Sequence, residues 1–227
     1  MIGFEQLLAI ATRNRGGADS LEASLPRSLP PEQLATVAED RFLSAMALCV
    51  FRAGFSWKVI EDKWPAFERA FSGFIPPAVA HFSDDKLEQL AADTTIVRHL
   101  GKIRAVRDNA VFICEVQRQQ PQNGEHGFAR YVADWPVDNI VGLWLELKRR
   151  GSRLGGNTGP MVLRTVGKDT FILSGDVQAA LLRHKLVDSL SVNAKRDLLN
   201  VQAVFNRLQQ ESGRSLAEIS RILAYTV

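Results

Sequence analysis

The sequence predicts an all-α protein made of helices with short connections. Strict alternation of apolar and polar residues, the period of a half-buried strand, is almost absent. Proline and glycine instead interrupt stretches whose apolar residues recur at helical spacing. With 227 residues, 46% of them hydrophobic, the chain can form one large domain or two small lobes sharing a cleft. We expect a single domain over residues 1–227, with two interleaved helical lobes around a cleft.

The predicted helices follow the proline and glycine breaks in order. A short helix near residues 4–13 precedes a loop at 16–29, and Pro30-Pro31 opens a long helix that runs to about Arg52. A break at 53–56 follows, and the Ser56 hydroxyl is expected to cap the next helix. The remaining helices are predicted at 57–71, 77–81, 85–92, 96–118, 140–150, 161–166, 176–184, 194–210 and 216–227, with a polar loop at 119–126.

Cations mark one of these helices. Arg98, Lys102, Arg104 and Arg107 are spaced through the stretch 96–118. We expect them to form one solvated face, because charged residues are rarely buried without a partner.

Charge, cysteines and hydropathy restrict the class of protein only broadly. The net charge of +3 suits one basic face or an ordinary enzyme. Cys49 and Cys114 lie far apart in apolar runs, and the four histidines lack metal-ligand spacing, so neither a metal nor another cofactor is expected. No apolar run approaches the ~20 residues of a membrane span, and no signal peptide is recognisable, so a cytoplasmic location without membrane association is expected.

Residues 147–163 predict a helix, a glycine hairpin and a second helix. Such hairpins bind DNA because backbone N–H groups, helped by the helix dipole, converge on a phosphate that glycine allows to approach closely. Neighbouring cations, Lys148 to Arg150 and Arg153, add long-range attraction. A plain helix-ending turn beside a solvated cationic end has the same pattern. The residues expected to contact DNA are Gly151, Arg153, Gly155, Gly156, Thr158 and Gly159.

Two regions resemble known enzymes. The first has Phe-Arg-Ala-Gly-Phe-Ser-Trp at 51–57, Phe-Glu-Arg-Ala-Phe at 67–71, Ile-Val-Arg-His-Leu-Gly-Lys-Ile at 96–103 and Asn-Ala at 109–110, and is similar to the 3-methyladenine DNA glycosylase I family. The second, 147–156 with 171–176, resembles the helix-hairpin-helix DNA glycosylase superfamily. The resemblance implies that superfamily's all-α fold. It also implies a monomeric base excision repair enzyme that flips a damaged base out of double-stranded DNA and excises it.

The resemblance also implies roles for individual residues. Asp176 takes the place of the catalytic carboxylate, and Trp57 that of an aromatic residue stacking on the extruded base. From the residues alone, Asp176 could merely stabilise a helix start and Trp57 could pack in the core. Phe55 could wedge into the gap left by the flipped nucleotide or pack at the helix start.

Three departures from the family refine the expectation. Cys49 stands eight residues before Trp57, in the base pocket, where the 3-methyladenine enzymes have a base-reading glutamate. Their zinc ligands near both termini have no counterparts. Pro160 replaces the lysine that forms a Schiff base in bifunctional members, so hydrolysis without strand cleavage is expected. The expected substrate is an alkylated purine resembling 3-methyladenine. A glycosylase for another damaged base, a non-catalytic DNA-binding protein and a helical interaction protein remain alternatives.

Overall fold

The computed structural model describes residues 2–119 and 127–227, which form fourteen α-helices and contain no β-strand. The predicted all-α class is confirmed. Most of the predicted polar loop at 119–126 lies outside the described residues. In chain order the helices are α1 Phe4–Asn14, α2 Ala18–Glu22, α3 Pro31–Leu34, α4 Glu39–Arg52, α5 Trp57–Ala70, α6 Pro76–Ala80, α7 Asp84–Ala92, α8 Leu100–Gln119, α9 Phe128–Asp134, α10 Ile140–Arg150, α11 Thr158–Val166, α12 Gly175–Arg183, α13 Lys195–Ser212 and α14 Leu216–Ala224.

The chain divides into two compact units. The central unit comprises Pro30–Trp135 and Trp144–Val166, and the terminal unit comprises Met1–Leu29, Pro136–Leu143 and Gly167–Val227. Among the described residues, no helix is both long and apolar enough to cross a lipid bilayer.

The central unit is built around α4 and α8. Helix α8 packs against α4, α6, α7 and α9, and α11 packs on α4. Phe67 is fully buried at the junction of α4 and α5, where its ring lies 4.6 Å from that of Phe51 and 5.1 Å from that of Trp64. Aromatic pairs in these geometries add to the burial energy. These ring contacts therefore stabilise the corner between α4 and α5.

The terminal unit is built around α14, which packs against α1, α12 and α13. Asp169 accepts hydrogen bonds from the backbone amides of Leu216 and Ala217, at 3.0 and 2.9 Å, and so satisfies the start of α14. Phe171 stacks on Phe205 with ring centroids 4.0 Å apart. These contacts fix the segment that leads into α12.

The predicted long helix from Pro30 to Arg52 is wrong. Helix α3 ends at Leu34 and α4 begins at Glu39, because Ala38 adopts an extended conformation with ψ 141°. The two helices have different partners, since α3 packs on α9 whereas α4 packs on α8 and α11. The predicted loop at 16–29 contains the short α2, and α9 has no counterpart in the prediction.

Candidate functional site

The corner between α4 and α5 is held by a buried lysine. Lys102 is 5% exposed, and its Nζ donates to the backbone oxygens of Phe51, at 3.3 Å, and of Ala53. The last carbonyls of a helix lack intrahelical donors, and Lys102 supplies one. Burial lowers the pKa of Lys102, and the nearby charge of Arg153 lowers it further. The prediction that Lys102 belongs to a solvated face is therefore wrong, because its Nζ lies buried against the carbonyls of the corner.

Phe55 and Ser56 lie at this corner. Gly54 has φ +79°, a left-handed conformation suited to glycine, and it turns the chain between the two helices. Phe55 is 39% exposed, and its ring lies 4.5 Å from Lys102 Nζ. Ser56 occupies the expected position before α5, but its hydroxyl makes no capping hydrogen bond, so that part of the prediction is wrong.

A cavity of about 170 Å³ opens in the central unit beside the corner. Its volume is similar to that of an engineered apolar cavity of about 150 Å³ that binds benzene, so a flat aromatic ring can enter. It brings together Cys49 and Trp57 with the end of the hairpin. The lining consists of Cys49, Arg52, Ala53, Trp57, Asn157, Thr158 and Met161.

Cys49 and Trp57 contribute different properties to the cavity. Cys49 is buried, and its Sγ lies 3.9 Å from Oγ1 of Thr165. Burial raises the pKa of the Cys49 thiol, which keeps it neutral. Trp57 is 53% exposed, so part of its indole ring is open to a ligand. The pair offers a stacking surface and a weak hydrogen-bonding group.

Arg52 lines the same cavity, and no pattern in the sequence pointed to it. Its guanidinium lies 4.8 Å from the ring centroid of Trp57, and Nη2 lies 2.5 Å from Oε1 of Glu61. The cation-π contact and the ion pair together fix the guanidinium beside the indole. Arg52 and Trp57 are separated by the turn, so helical spacing could not have predicted their contact.

The hairpin between α10 and α11 is closed by close backbone contacts. Asn109 of α8 is 1% exposed; its Oδ1 accepts from the amide of Ser152 at 2.7 Å and its Nδ2 donates to the Ser152 carbonyl at 3.1 Å. A Cβ at Gly151 would lie 2.8 Å from the Leu147 carbonyl oxygen, and one at Gly159 would lie 2.8 Å from that of Leu154. The amides of Gly151 and Gly159 also donate within the hairpin, so these glycines have a packing role in the structure.

The tip of the hairpin presents unused donors. Among the described residues, the amides of Gly155 and Gly156 donate no hydrogen bond to a backbone carbonyl. Gly156 is exposed and has φ +60°. Helix α11 begins at Thr158, so Pro160 lies within its first turn rather than at the predicted first position. Free amides beside a helix N-terminus can bind an anion.

Two cations beside the hairpin remain available. Arg149 lies 2.8 Å from Glu146, and Arg150 contacts Glu115 and Glu146 at 3.6 Å. In residues 2–119 and 127–227, no carboxylate pairs with Lys148 or Arg153, and both are exposed. Arg153 Nε donates to the Gly101 carbonyl at 3.1 Å, which holds that side chain beside α8.

Asp176 lies in the first turn of α12. Ser174 Oγ accepts from the amide of Val177 at 3.3 Å, which confirms the predicted cap. Asp176 is exposed. It belongs to the terminal unit, whereas the cavity and hairpin belong to the central unit, so the shared cleft stays a prediction. Among the described residues, no cluster of histidine, cysteine and carboxylate side chains could hold a metal ion.

Comparison with solved structures identifies the class of fold. A tyrosine-to-phenylalanine variant of 3-methyladenine DNA glycosylase I, in complex with 3-methyladenine, is 21% identical with a TM-score of 0.51, over 68% of this chain and 88% of that one. The enzyme from Staphylococcus aureus is 22% identical with a TM-score of 0.50, over 63% and 80% of the two chains. The chain has the all-α fold of these DNA glycosylases, as predicted.

Comparison of sequences finds similarity to one family over part of the chain. A family model described as methyladenine glycosylase matches residues 34–141. The DNA-3-methyladenine glycosylase 1 of Escherichia coli (strain K12) is 36% identical over 74 residues, which are 33% of this chain and 37% of that protein. The predicted resemblance to the 3-methyladenine DNA glycosylase I family is confirmed. The chain matches little more than a third of the length of this curated relative.

Proposed function

We propose that the protein is a monofunctional DNA glycosylase that excises an alkylated purine, resembling 3-methyladenine, from double-stranded DNA. We further propose that it acts as a monomer in the cytoplasm. One observation carries the proposal. A single cavity joins Trp57 and Cys49, the two residues that the resemblance assigns to the base pocket, with Asn157 and Thr158 of the hairpin.

The hairpin and the corner suit a flipped nucleotide. The amides of Gly155 and Gly156 bind a phosphate, and Lys148 and Arg153 attract the duplex. Phe55 fills the gap in the base stack, as apolar wedges do in proteins that distort DNA. The extruded base stacks on Trp57 inside the cavity.

Asp176 supplies the chemistry. As the bond between C1′ and the base nitrogen breaks, its electron pair leaves with the base and positive charge develops on the deoxyribose. The Asp176 carboxylate stabilises that charge and accepts a proton from the water whose oxygen bonds to C1′. Pro160 has no amine for a Schiff base with the sugar. The products are a free base and an abasic site in an intact strand.

A panel of duplexes carrying alkylated, deaminated or oxidised bases tests the proposal, with abasic sites as the readout. Abasic sites should form in the alkylated duplexes alone. Abasic sites only at oxidised or deaminated bases would overturn the alkylated-purine assignment and leave a glycosylase for another lesion.

The neutral Cys49 favours a second candidate, a DNA-binding protein without catalysis, because it lacks the ligand-reading carboxylate. Salt-dependent duplex binding without abasic sites would support that candidate. Salt-dependent duplex binding would also eliminate a helical interaction protein whose hairpin is only structural, because phosphate neutralisation releases counterions.

A further inference from the structure

Arg52 carries the formal charge in the cavity lining, since the other lining residues are neutral. Cys49 stays a neutral thiol because burial raises its pKa. No carboxylate of the described residues lines the cavity. A base that enters therefore meets the N–H donors of a guanidinium and no ionised acceptor.

One donor of Arg52 lacks a partner. The Nε atom is buried and has no hydrogen-bond acceptor in the described part of the chain, whereas Nη2 is engaged by Glu61. The guanidinium is fixed beside Trp57, and the side chain is only 19% exposed. Buried donors are almost always paired. Arg52 thus brings to the cavity lining a guanidinium whose hydrogen-bonding capacity is only partly used by the described residues.

Purines differ in the group that they offer to such a donor. A guanine-type base presents the acceptors N7 and O6, whereas an adenine-type base presents N7 and an amine at position 6. A guanidinium has donors only. An amine at position 6 could not accept a hydrogen bond from the guanidinium, because both groups are donors. A carbonyl oxygen at position 6 could accept one.

We propose that Arg52 reads position 6 of the flipped base and makes the cavity selective for 6-oxopurines, so that alkylated guanines are preferred to alkylated adenines. The proposal rests on the proposed function and, within the alkylated purines, moves the preferred substrate from 3-methyladenine to guanines alkylated in the same way. Arg52 and Trp57 act together, because the guanidinium lies over the indole ring and Trp57, at 53% exposure, still offers ring surface to the base.

Release of 3-methylguanine and 3-methyladenine from one methylated duplex tests this selectivity, since both bases carry the methyl group at the same position. Wild-type protein should release 3-methylguanine faster, relative to its content in the DNA. Arg52→Met keeps a long apolar stem against Trp57 and should reduce 3-methylguanine release about 10- to 100-fold, the loss expected for a charge-assisted hydrogen bond. Release of 3-methyladenine should change by less than about threefold.

Two further variants separate recognition from folding. Arg52→Lys keeps the charge but lacks the planar guanidinium, and it should lose the selectivity as Arg52→Met does. Arg41→Met is the matched control, because Arg41 also lies on α4, pairs with Glu68 of α5 at 2.8 Å and does not line the cavity. It should keep the wild-type selectivity. Equal loss of both methylated bases in the two Arg52 variants would overturn the proposal.

The affinity of the protein for free bases, measured by calorimetry, tests the role of Arg52 separately from the glycosylase activity. Hypoxanthine and adenine differ at position 6, and hypoxanthine should bind more tightly to wild type but not to Arg52→Met. The protein could bind hypoxanthine more tightly than adenine and yet release no base from DNA. This outcome would contradict the glycosylase activity and support the role of Arg52. Base release with a preference for 3-methyladenine, and tighter binding of adenine, would support the activity and contradict the role of Arg52.

Discussion

Cys49 determines how the cavity treats an exocyclic amine. Its thiol is a weak donor and a weak acceptor, and burial keeps it neutral. Cys49 therefore favours an amine at position 6 less than a glutamate would, and release of 3-methyladenine should be slow. A cationic alkylpurine can still leave, because its glycosidic bond is already weakened.

Cys49→Glu should increase the release of 3-methyladenine, by about tenfold. The new carboxylate would accept from the amine at position 6 and attract the cationic base, and the nearby charge of Arg52 favours its ionised form. Base release from methylated duplex measures the change. Cys49→Gln is the matched neutral control and should gain less. An equal gain in both variants would show that charge at this position is irrelevant.

Some of the residues that line the cavity could be predicted from the sequence, and others could not. Trp57 belongs to the continuous motif at 51–57 and Cys49 lies eight residues before it, so the resemblance placed both in the base pocket. Arg52 and Asn157 enter the cavity only because α11 packs on α4. That packing depends on contacts between residues more than 100 positions apart, which local periodicity does not report.

At the scale of elements, the corner between α4 and α5 depends on a charge contributed by α8. Lys102→Met removes the donor for the Phe51 and Ala53 carbonyls. The free energy of unfolding should fall by about 1–3 kcal/mol, the usual cost of an unpaired buried group. Denaturant unfolding measures the loss. Arg104→Met, an exposed position on the same helix, should change it by less than about 0.5 kcal/mol.

The lowered pKa of Lys102 adds a pH dependence to the same comparison. Below the ordinary lysine pKa of 10.5 and above the folded-state value, the unfolded chain binds more protons than the folded one. The free energy of unfolding contributed by this group should therefore rise with pH through that window. Lys102→Met should lack this rise. Parallel pH profiles for wild type and variant would contradict the assigned environment of Lys102.

The proposed role of the hairpin predicts that its tip contributes to the affinity for duplex DNA. Gly156→Val places a β-branched residue at φ +60° and should weaken duplex binding before it affects folding. Gly213→Val is the matched control, because Gly213 has φ +68° at the end of α13, and a Cβ at either position meets nothing within 4 Å. Duplex affinity at fixed salt is the measurement. Equal affinities in the two variants would remove the hairpin from the DNA interface.

Element prediction was best where a proline, glycine or serine marks the boundary. The Ser174 cap and the start of α14 at Leu216 agree with the sequence. The break between α3 and α4 was missed, since Thr36, Val37 and Ala38 carry no strong breaking signal. Their conformation follows from packing against two different neighbours, which is a tertiary effect.

At the scale of the whole molecule, the residues of the proposed reaction are divided between the two units. The cavity and the hairpin are in the central unit, and Asp176 is in the terminal unit. Recognition and chemistry should therefore be separable by substitution. Changes at Arg52 or Cys49 should alter which base is released, whereas a change at Asp176 should lower the rate for every base.

The activity of Asp176→Asn on methylated duplex tests the central claim most directly. Base release, abasic sites, strand cleavage and duplex affinity should be measured for wild type, for this variant and for Asp188→Asn, an exposed aspartate of the same unit. Wild type and Asp188→Asn should leave abasic sites in intact strands. Asp176→Asn should lose about 100-fold or more of the rate while binding duplex at least as tightly. Full activity in folded Asp176→Asn, or its failure to fold, would instead assign Asp176 to stabilising α12 and contradict its catalytic role.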